Sequence, residues 1–288
     1  MLGLAAGNML GLPNEFRLRR ADPPVTDIDP AELRAPWDDD LAQAVELARS
    51  LVTLHRADPR DLANRFLNWA RTNGRGMGSQ TRKVLRLLDK GFSPLDASRQ
   101  VWEASNCQAA GNGAVMRCAP AGIAFHDDPA ALARAAIDSA AVTHFDPRCT
   151  QSALAVAAGV AALLHEGPPL DAALAAVRAQ PKPEPDVVRA LEAIPRLRIG
   201  DLPIREKEAI GFTVTAMQAG LWAAHQEGPL ESVLLDIVNE CGDADTNGAV
   251  AGALLGAKSG EEAIPERWLA RMRGRIEIGK VAEDLLRR

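Results

Sequence analysis

The sequence predicts an all-α fold, a multi-helix bundle built as a single domain over residues 1–288. Three observations predict it. Apolar residues recur at intervals of three and four along almost the whole chain, the period of a helix with one buried face. No run of alternating β-branched residues reads as a strand. Many of the periodic stretches open on Asp-Pro, Ser-Pro or Pro-Pro, which pair a cap with a residue of preset φ.

The elements follow in order. Leu41, Ala44, Val45, Ala48, Leu51 and Val52 make one buried stripe in a helix over 38–55. Asp58-Pro59 opens a helix over 59–72, and helices over 79–89 and 93–105 follow, the latter behind Ser93-Pro94. Asp128-Pro129, Asp146-Pro147 and Pro168-Pro169 introduce helices over 129–142, 148–165 and 169–179. The same period predicts helices over 185–194, 206–227, 229–239, 247–257 and 276–287. Short glycine-rich turns fall at 74–78, 111–113 and 242–248. Pro181, Pro183 and Pro185 read as a surface loop, because helical periodicity resumes on both sides. No repeat with a period of about 20–50 residues is visible.

Within the helix over 247–257, Gly248, Gly252 and Gly256 fall at intervals of four. A helix-interior glycine costs roughly 0.8–1.0 kcal/mol relative to alanine. Three on one face imply that another helix packs very close to this one, at a central position in the bundle.

Composition narrows the function. With 47% hydrophobic and 25% charged residues the chain has ample material for a core. A net charge of −5 and no run of five or more Lys or Arg argue against nucleic acid, as does the absence of Tyr among scarce aromatics. Cys107, Cys118, Cys149 and Cys241 have no metal-site spacing and read as reduced core thiols. The longest apolar run, Ala153 to Leu164, is too short to span a bilayer. Nothing at the N-terminus reads as a signal peptide, so the expectation is a cytoplasmic protein without a membrane partner.

Two acidic clusters carry the chemistry: Asp38-Asp39-Asp40, and Asp243-Ala-Asp245-Thr246-Asn247-Gly248. Carboxylates this close repel one another unless a cation or several donors compensate them. Oxygen ligands suit hard divalent ions, and two converging clusters would suit two of them. Simpler readings exist. A single Asp at either helix start would serve as a cap or favour the macrodipole. The second cluster also opens like an EF-hand loop, but Leu254 stands where calcium needs a bidentate Glu. A DxDxT phosphatase would want Thr where Asn247 stands, and a DDxxD prenyl-transferring enzyme would want Asp where Gln43 stands.

Taken together, the motifs resemble the ADP-ribosylglycohydrolase family over nearly the whole chain, in six places and in the right order. Gly7-Asn8-Met9-Leu10-Gly11-Leu12-Pro13-Asn14-Glu15 is similar to its GDALGxPxE, and Asp38-Asp39 to its TDDT. Gly74-Arg75-Gly76-Met77-Gly78 resembles its glycine loop. Gly111 to Arg117 resembles GNGAAMR, Thr143-His144-Phe145-Asp146-Pro147 resembles THxxP, and Gly242 to Thr246 resembles GDxDT.

The resemblance implies an all-α hydrolase with two Mg²⁺ or Mn²⁺ ions held by Asp38, Asp39, Asp243, Asp245 and Thr246. It would cleave the glycosidic bond between ADP-ribose and an acceptor, in a modified protein or a small molecule. Asp39 and Asp245 would act at the reacting centre, with Glu15 as acid/base or gating carboxylate. Gly74, Gly76, Gly78, Gly111, Asn112 and Gly113 would cradle the pyrophosphate, and His144 would contact phosphate or the distal ribose.

Three departures stand out: Asn8 for the first motif's Asp, Trp37 for the Thr before the paired aspartates, and Asp40 for the Thr after them. On this alignment Trp37 leaves a hydroxyl vacancy at the metal site, filled by water or Asp40, or else lines the cleft. The departures keep two alternatives open: a nucleotide-binding or structural protein on the same fold, and a hydrolase of another N- or O-glycoside.

Overall fold

The computed structural model describes residues 1–20 and 22–287. Among them it contains fifteen α-helices, short 3₁₀ turns and no strand. In chain order the helices are α1 Leu2–Gly11, α2 Asp39–Leu54, α3 Pro59–Thr72, α4 Ser79–Asp89, α5 Pro94–Glu103, α6 Ala119–Ala124, α7 Pro129–Ala141 and α8 Pro147–Leu164. They continue with α9 Pro169–Arg178, α10 Pro185–Ala193, α11 Thr213–His225, α12 Leu230–Asn239, α13 Ala244–Ser259, α14 Glu266–Leu269 and α15 Arg275–Leu286. The all-α expectation holds.

The proline-led starts work as the sequence implies. The carboxylates of Asp58, Asp128 and Asp146 and the hydroxyl of Ser93 accept backbone N–H bonds from the first turns of α3, α7, α8 and α5. Each satisfies donors that the helix leaves unpaired.

α13 is the axis of the bundle, with α1, α8, α11 and α12 packed around it. Its glycine face meets α1, and the two helices run antiparallel with their backbones in contact. A β-carbon on Gly7 would overlap the Gly248 carbonyl, one on Gly3 the Gly252 carbonyl, and one on Gly11 the Ala244 carbonyl. Glycine is therefore required on both helices, and the closeness of the backbones explains why α13 tolerates its low helix propensity. This contact also fixes the site, because it sets the height of the first turn of α13 against the chain that leaves α1 toward Glu15.

α8 is longer than its apolar run. At 18 residues and a mean hydropathy of 1.2 it reaches a membrane-spanning length, but 78% of it is buried inside the protein. It is a core helix, contacted by α6, α7, α9, α11 and α13.

Several expectations need correction. The helix predicted over 206–227 begins only at Thr213. Gly211 has φ +76°, and Phe212 is extended and bridges Gly111, so the chain before α11 serves as a strut for the 111–113 loop. α13 starts three residues earlier than predicted, which brings Asp245 and Thr246 into its first turn. α6 and the one-turn α14 lacked a periodic stretch long enough to read. Cys118, Cys149 and Cys241 are buried thiols, but Cys107 is exposed.

The α1–α13 contact yields a test. Gly7→Ala should destabilise the protein by about 2–3 kcal/mol, since overpacking costs typically 1–3 kcal/mol and outweighs alanine's helix preference. Gly279→Ala in α15, where an added β-carbon meets nothing within 4 Å, should instead stabilise by about 0.4–1 kcal/mol. Urea unfolding of both variants measures the difference in sign.

Candidate metal centre and cavity

Two helix starts aim carboxylates into one cavity. Asp38 is the residue before α2 and Asp243 the residue before α13, yet neither side chain caps its helix. The simple capping explanation of both clusters therefore fails. Asp39 and Asp40 lie in the first turn of α2, and Asp245 and Thr246 in the first turn of α13. All are buried.

The carboxylates fall into two groups that share Asp245. Oxygens of Asp38, Asp40 and Asp245 all lie within 4.8 Å of one another, as do oxygens of Glu15, Asp243 and Asp245. Asp40 Oδ1 and Asp245 Oδ1 are buried with no hydrogen-bond partner. An unpartnered buried carboxylate oxygen is costly. An all-oxygen set with orphaned atoms fits hard divalent cations at the two groups.

The electrostatics agree. Burial, reinforced by Asp38 and Asp243, pushes Glu15 up to about 7 against the opposing pull of Arg75. Burial and the neighbouring carboxylates push Asp39 up to about 8. Asp40 and Asp245 are held well above the usual carboxylate range, first by burial and then by each other's surroundings of negative charge. Asp38 is also raised by burial, partly offset by Arg75, whose Nε lies 3.5 Å from its Oδ1.

Gly76 closes over these groups. Its φ is +76°, and a β-carbon there would collide with Asp38 and Asp39 Oδ1. Gly78 precedes α4, and the cavity is lined there by Gly78, Ser79, Gln80 and Thr81. No side chain caps α4, so its first N–H groups stay available toward the cavity.

On the opposite wall, Gly111 N donates to Gln80 Oε1 at 3.2 Å, and Asn112 Nδ2 donates to Asp243 Oδ2 at 2.8 Å. Gly113 lets His144 approach: a β-carbon there would sit 2.7 Å from the imidazole. Burial, with Arg117 second, holds the His144 pKa well below the usual range, so the ring is neutral. Its tautomer follows from its neighbours. Arg117, fully buried, donates to Thr143 Oγ1 at 2.8 Å, which leaves the hydroxyl hydrogen for His144 Nδ1 at 2.7 Å. The Nε2–H of His144 then faces the cavity beside Gly111 and Gly113.

The cavity holds ≈ 300 Å³ and gathers Glu15, Asp39, Asp245, Gly76, Gly78, Gly111, Asn112, Gly113, His144, Asp243 and Thr246 from all the sequence motifs. Asp38 lies behind Gly76 rather than on the wall. Gly74 is not on the wall either. Its N–H closes the end of α3 onto the Trp69 carbonyl, so it is a helix terminator and not part of the cradle.

Trp37 departs most from expectation. Its Nε1 donates to the Arg273 carbonyl at 2.9 Å and its ring packs on Gly274, away from the cavity. It neither leaves a gap among the carboxylates nor lines the cleft. Asp40, not Asp39, groups with Asp38 and Asp245, so the acidic run enters one residue further along than the alignment on Asp38-Asp39 implies. Asn8 is buried in α1 and also does not reach the cavity wall. Sequence reasoning gave Asp40 only as a substitute ligand and missed Gln80, Thr81 and Arg117. Gln80 and Thr81 follow shortly after the Gly74–Gly78 motif and Arg117 closes the Gly111–Arg117 motif; their roles needed side-chain directions to be seen.

The profile of the ADP-ribosylglycohydrolase family matches residues 1–288. An uncharacterised protein of Archaeoglobus fulgidus is 30% identical over 99% of this chain and 94% of its own. The ADP-ribosylarginine hydrolase Tri1 of Pseudomonas putida is 28% identical, covering all of this chain and 77% of that one. The ADP-ribosyl-[dinitrogen reductase] glycohydrolase of Rhodospirillum rubrum is 27% identical over 96% of this chain and 90% of its own. A solved structure titled as an ADP-ribosylglycohydrolase-related protein complex superposes with a TM-score of 0.78 at 31% identity, covering 99% of this chain and 95% of that one. The chain belongs to the ADP-ribosylglycohydrolase family.

Two predictions follow from the site. The Glu15 and Asp39 carboxyls, raised from the ordinary carboxylate range to about 7 and about 8, stabilise the fold only while protonated. Without divalent cations, their contribution is complete below their unfolded pKa and is lost as pH rises through 7 to 8. Asp40 is pushed the same way, first by burial and then by Asp39, so in chelator Asp40→Asn should gain stability relative to the parent as pH rises above the ordinary carboxylate range, and added cation should reverse the ranking. Thermal melts across pH with and without chelator measure this. The second concerns Trp37→Thr, which should cost roughly 1–3 kcal/mol of stability from lost packing and its hydrogen bond. Its divalent-ion affinity, titrated by calorimetry, should stay that of the parent.

Proposed function

We propose that this chain is a hydrolase that splits ADP-ribose from an acceptor, dependent on two divalent cations, Mg²⁺ or Mn²⁺. The observation that carries the reading is the pair of carboxylate groups joined by Asp245, all of whose members except Asp38 line one cavity. That wall has five carboxylates and, among the described residues lining it, no Lys or Arg. A diphosphate would be repelled from such a surface unless cations neutralise it.

Asp38, Asp40 and Asp245 would hold one ion, and Glu15, Asp243 and Asp245 the other, with Asp39 and Thr246 beside them. Bound ions supply Lewis acidity toward ribose hydroxyls and a water of lowered pKa. The protein's own groups supply the rest. Carboxylates around the anomeric carbon favour the positive charge of an oxocarbenium-like transition state. Water adds to that carbon, the glycosidic bond breaks, and the departing acceptor takes up a proton. Glu15, with a pKa of about 7 in the cation-free protein, lies where it can exchange that proton near neutrality.

The anionic end of the substrate has a distinct place. The first N–H groups of α4 suit phosphate oxygens, as helix starts do generally. His144 Nε2–H and Asn112 face the same space from the opposite wall. The neutrality of His144 matters here, because it keeps a fixed donor at all pH values where the carboxylates are ionised. The names of the relatives make an ADP-ribosylated arginine side chain in a protein the first acceptor to try.

The test is mass-resolved detection of ADP-ribose released from an arginine-ADP-ribosylated protein, with Mg²⁺ or Mn²⁺ and with chelator. Release should require the cation and be abolished in Asp245→Ala. A cation at hundredfold its Kd should also stabilise the parent by roughly 2.7 kcal/mol and leave Asp245→Ala unshifted. Cation-independent release, or none from any ADP-ribosyl conjugate, would count against the reading.

A further inference from the structure

A second set of convergent ligand atoms lies outside the acidic cavity. His126 and Asp127 occupy the turn between α6 and α7, and His165 is the residue that closes α8. His126 Nδ1 stands 3.0 Å from His165 Nε2. Asp127 Oδ1 stands 3.4 Å from the first nitrogen and 3.1 Å from the second. We propose that this His₂Asp triangle binds a borderline divalent transition ion such as Zn²⁺, with water as the fourth ligand.

The spacing carries the argument. Zinc–nitrogen and zinc–oxygen bonds of about 2.0–2.2 Å at tetrahedral angles place ligand atoms about 3.3 Å apart. The three observed edges bracket that value, so an ion can sit just above the plane of the triangle and reach all three atoms. Two ring nitrogens at 3.0 Å can share only one hydrogen between them, whereas a cation uses both lone pairs and the carboxylate together. The rings are tilted by 44° with centroids 5.0 Å apart, which points nitrogens rather than ring faces at one another.

The backbone holds the ligands in place without the ion. The Phe125 N–H closes α6 onto Ala121, Asp128 caps α7 immediately after Asp127, and the N–H groups of His165 and Gly167 both close onto Ala162. α6 and α7 each pack on α8, so the two halves of the triangle belong to one packed unit. Imidazole donors select against the hard ions that suit the acidic cavity, which makes the two centres chemically separable. Asp127 is 75% exposed, leaving the fourth position open to solvent. A bound ion would tie the turn after α6 to the end of α8.

Co²⁺ reports on such a site through the visible band of its tetrahedral form. The protein is first saturated with Mg²⁺ and then titrated with Co²⁺. One equivalent should develop the tetrahedral band, and zinc should displace it. The band should be lost in His126→Gln and in His165→Gln, while both variants keep the thermal stabilisation by Mg²⁺. It should persist in Asp245→Ala, which separates this site from the acidic one. No tetrahedral band in the parent, or a band unchanged in both histidine variants, overturns the proposal.

Discussion

Mutual repulsion among buried carboxylates is the constraint around which this molecule is arranged. Asp38, Asp40 and Asp245 meet within 4.8 Å, and Glu15 and Asp243 meet Asp245 on its other side. Burial alone pushes such groups toward their neutral forms, and each neighbour adds to the push. Hydrogen bonding relieves it only in part, since Asp40 Oδ1 and Asp245 Oδ1 have no partner. Only a tightly determined scaffold can hold these side chains together, and the fold supplies one. The helix starts of α2 and α13 offer positive dipole ends to the acids they carry. Gly76 covers them without a side chain, and Asn112 reaches across to Asp243.

The scaffold's rigidity comes from elsewhere in the chain. α1 and α13 touch backbone to backbone through glycines on both helices, which leaves little freedom to slide. The stretch after α1 bridges back to Gly242, with Phe16 N donating to the Gly242 carbonyl and Gly242 N to the Arg17 carbonyl. Glu15 is thereby fixed opposite Asp243 and Asp245. The Arg117–Thr143–His144 chain does the equivalent on the far wall, where a buried guanidinium sets the direction of a neutral imidazole. Packing, electrostatics and the shape of the cavity are in this sense one arrangement.

Most helices were legible because their apolar period and proline-led caps are local signals. The close approach at Gly248 and Gly252 was legible too, since repeated glycine in a helix interior is costly unless something replaces the missing side chains. What stayed hidden depends on direction. Residues 206–212 carry helical periodicity, yet Gly211 and the pairing of Phe212 with Gly111 override it. In a run of three aspartates, sequence spacing cannot tell which carboxylates face the second cluster; the helix start at Asp39 turns Asp40 inward with Asp38. Trp37 drew attention as a lost ligand, but its indole points to Arg273 and serves packing. Gly74 resembled a cradle residue and is a helix terminator, while Gln80 and Arg117 act through partners far away in the chain.

The account turns on Asp245 as the carboxylate that would serve both proposed cations. Electron paramagnetic resonance of Mn²⁺-loaded protein tests this most directly, because two ions that shared one carboxylate would interact magnetically. The parent should bind two equivalents and show the spectrum of a coupled pair, and Asp245→Asn should lose the coupling. Two uncoupled ions, or a single equivalent in the parent, would contradict the shared carboxylate and with it the present description of the site.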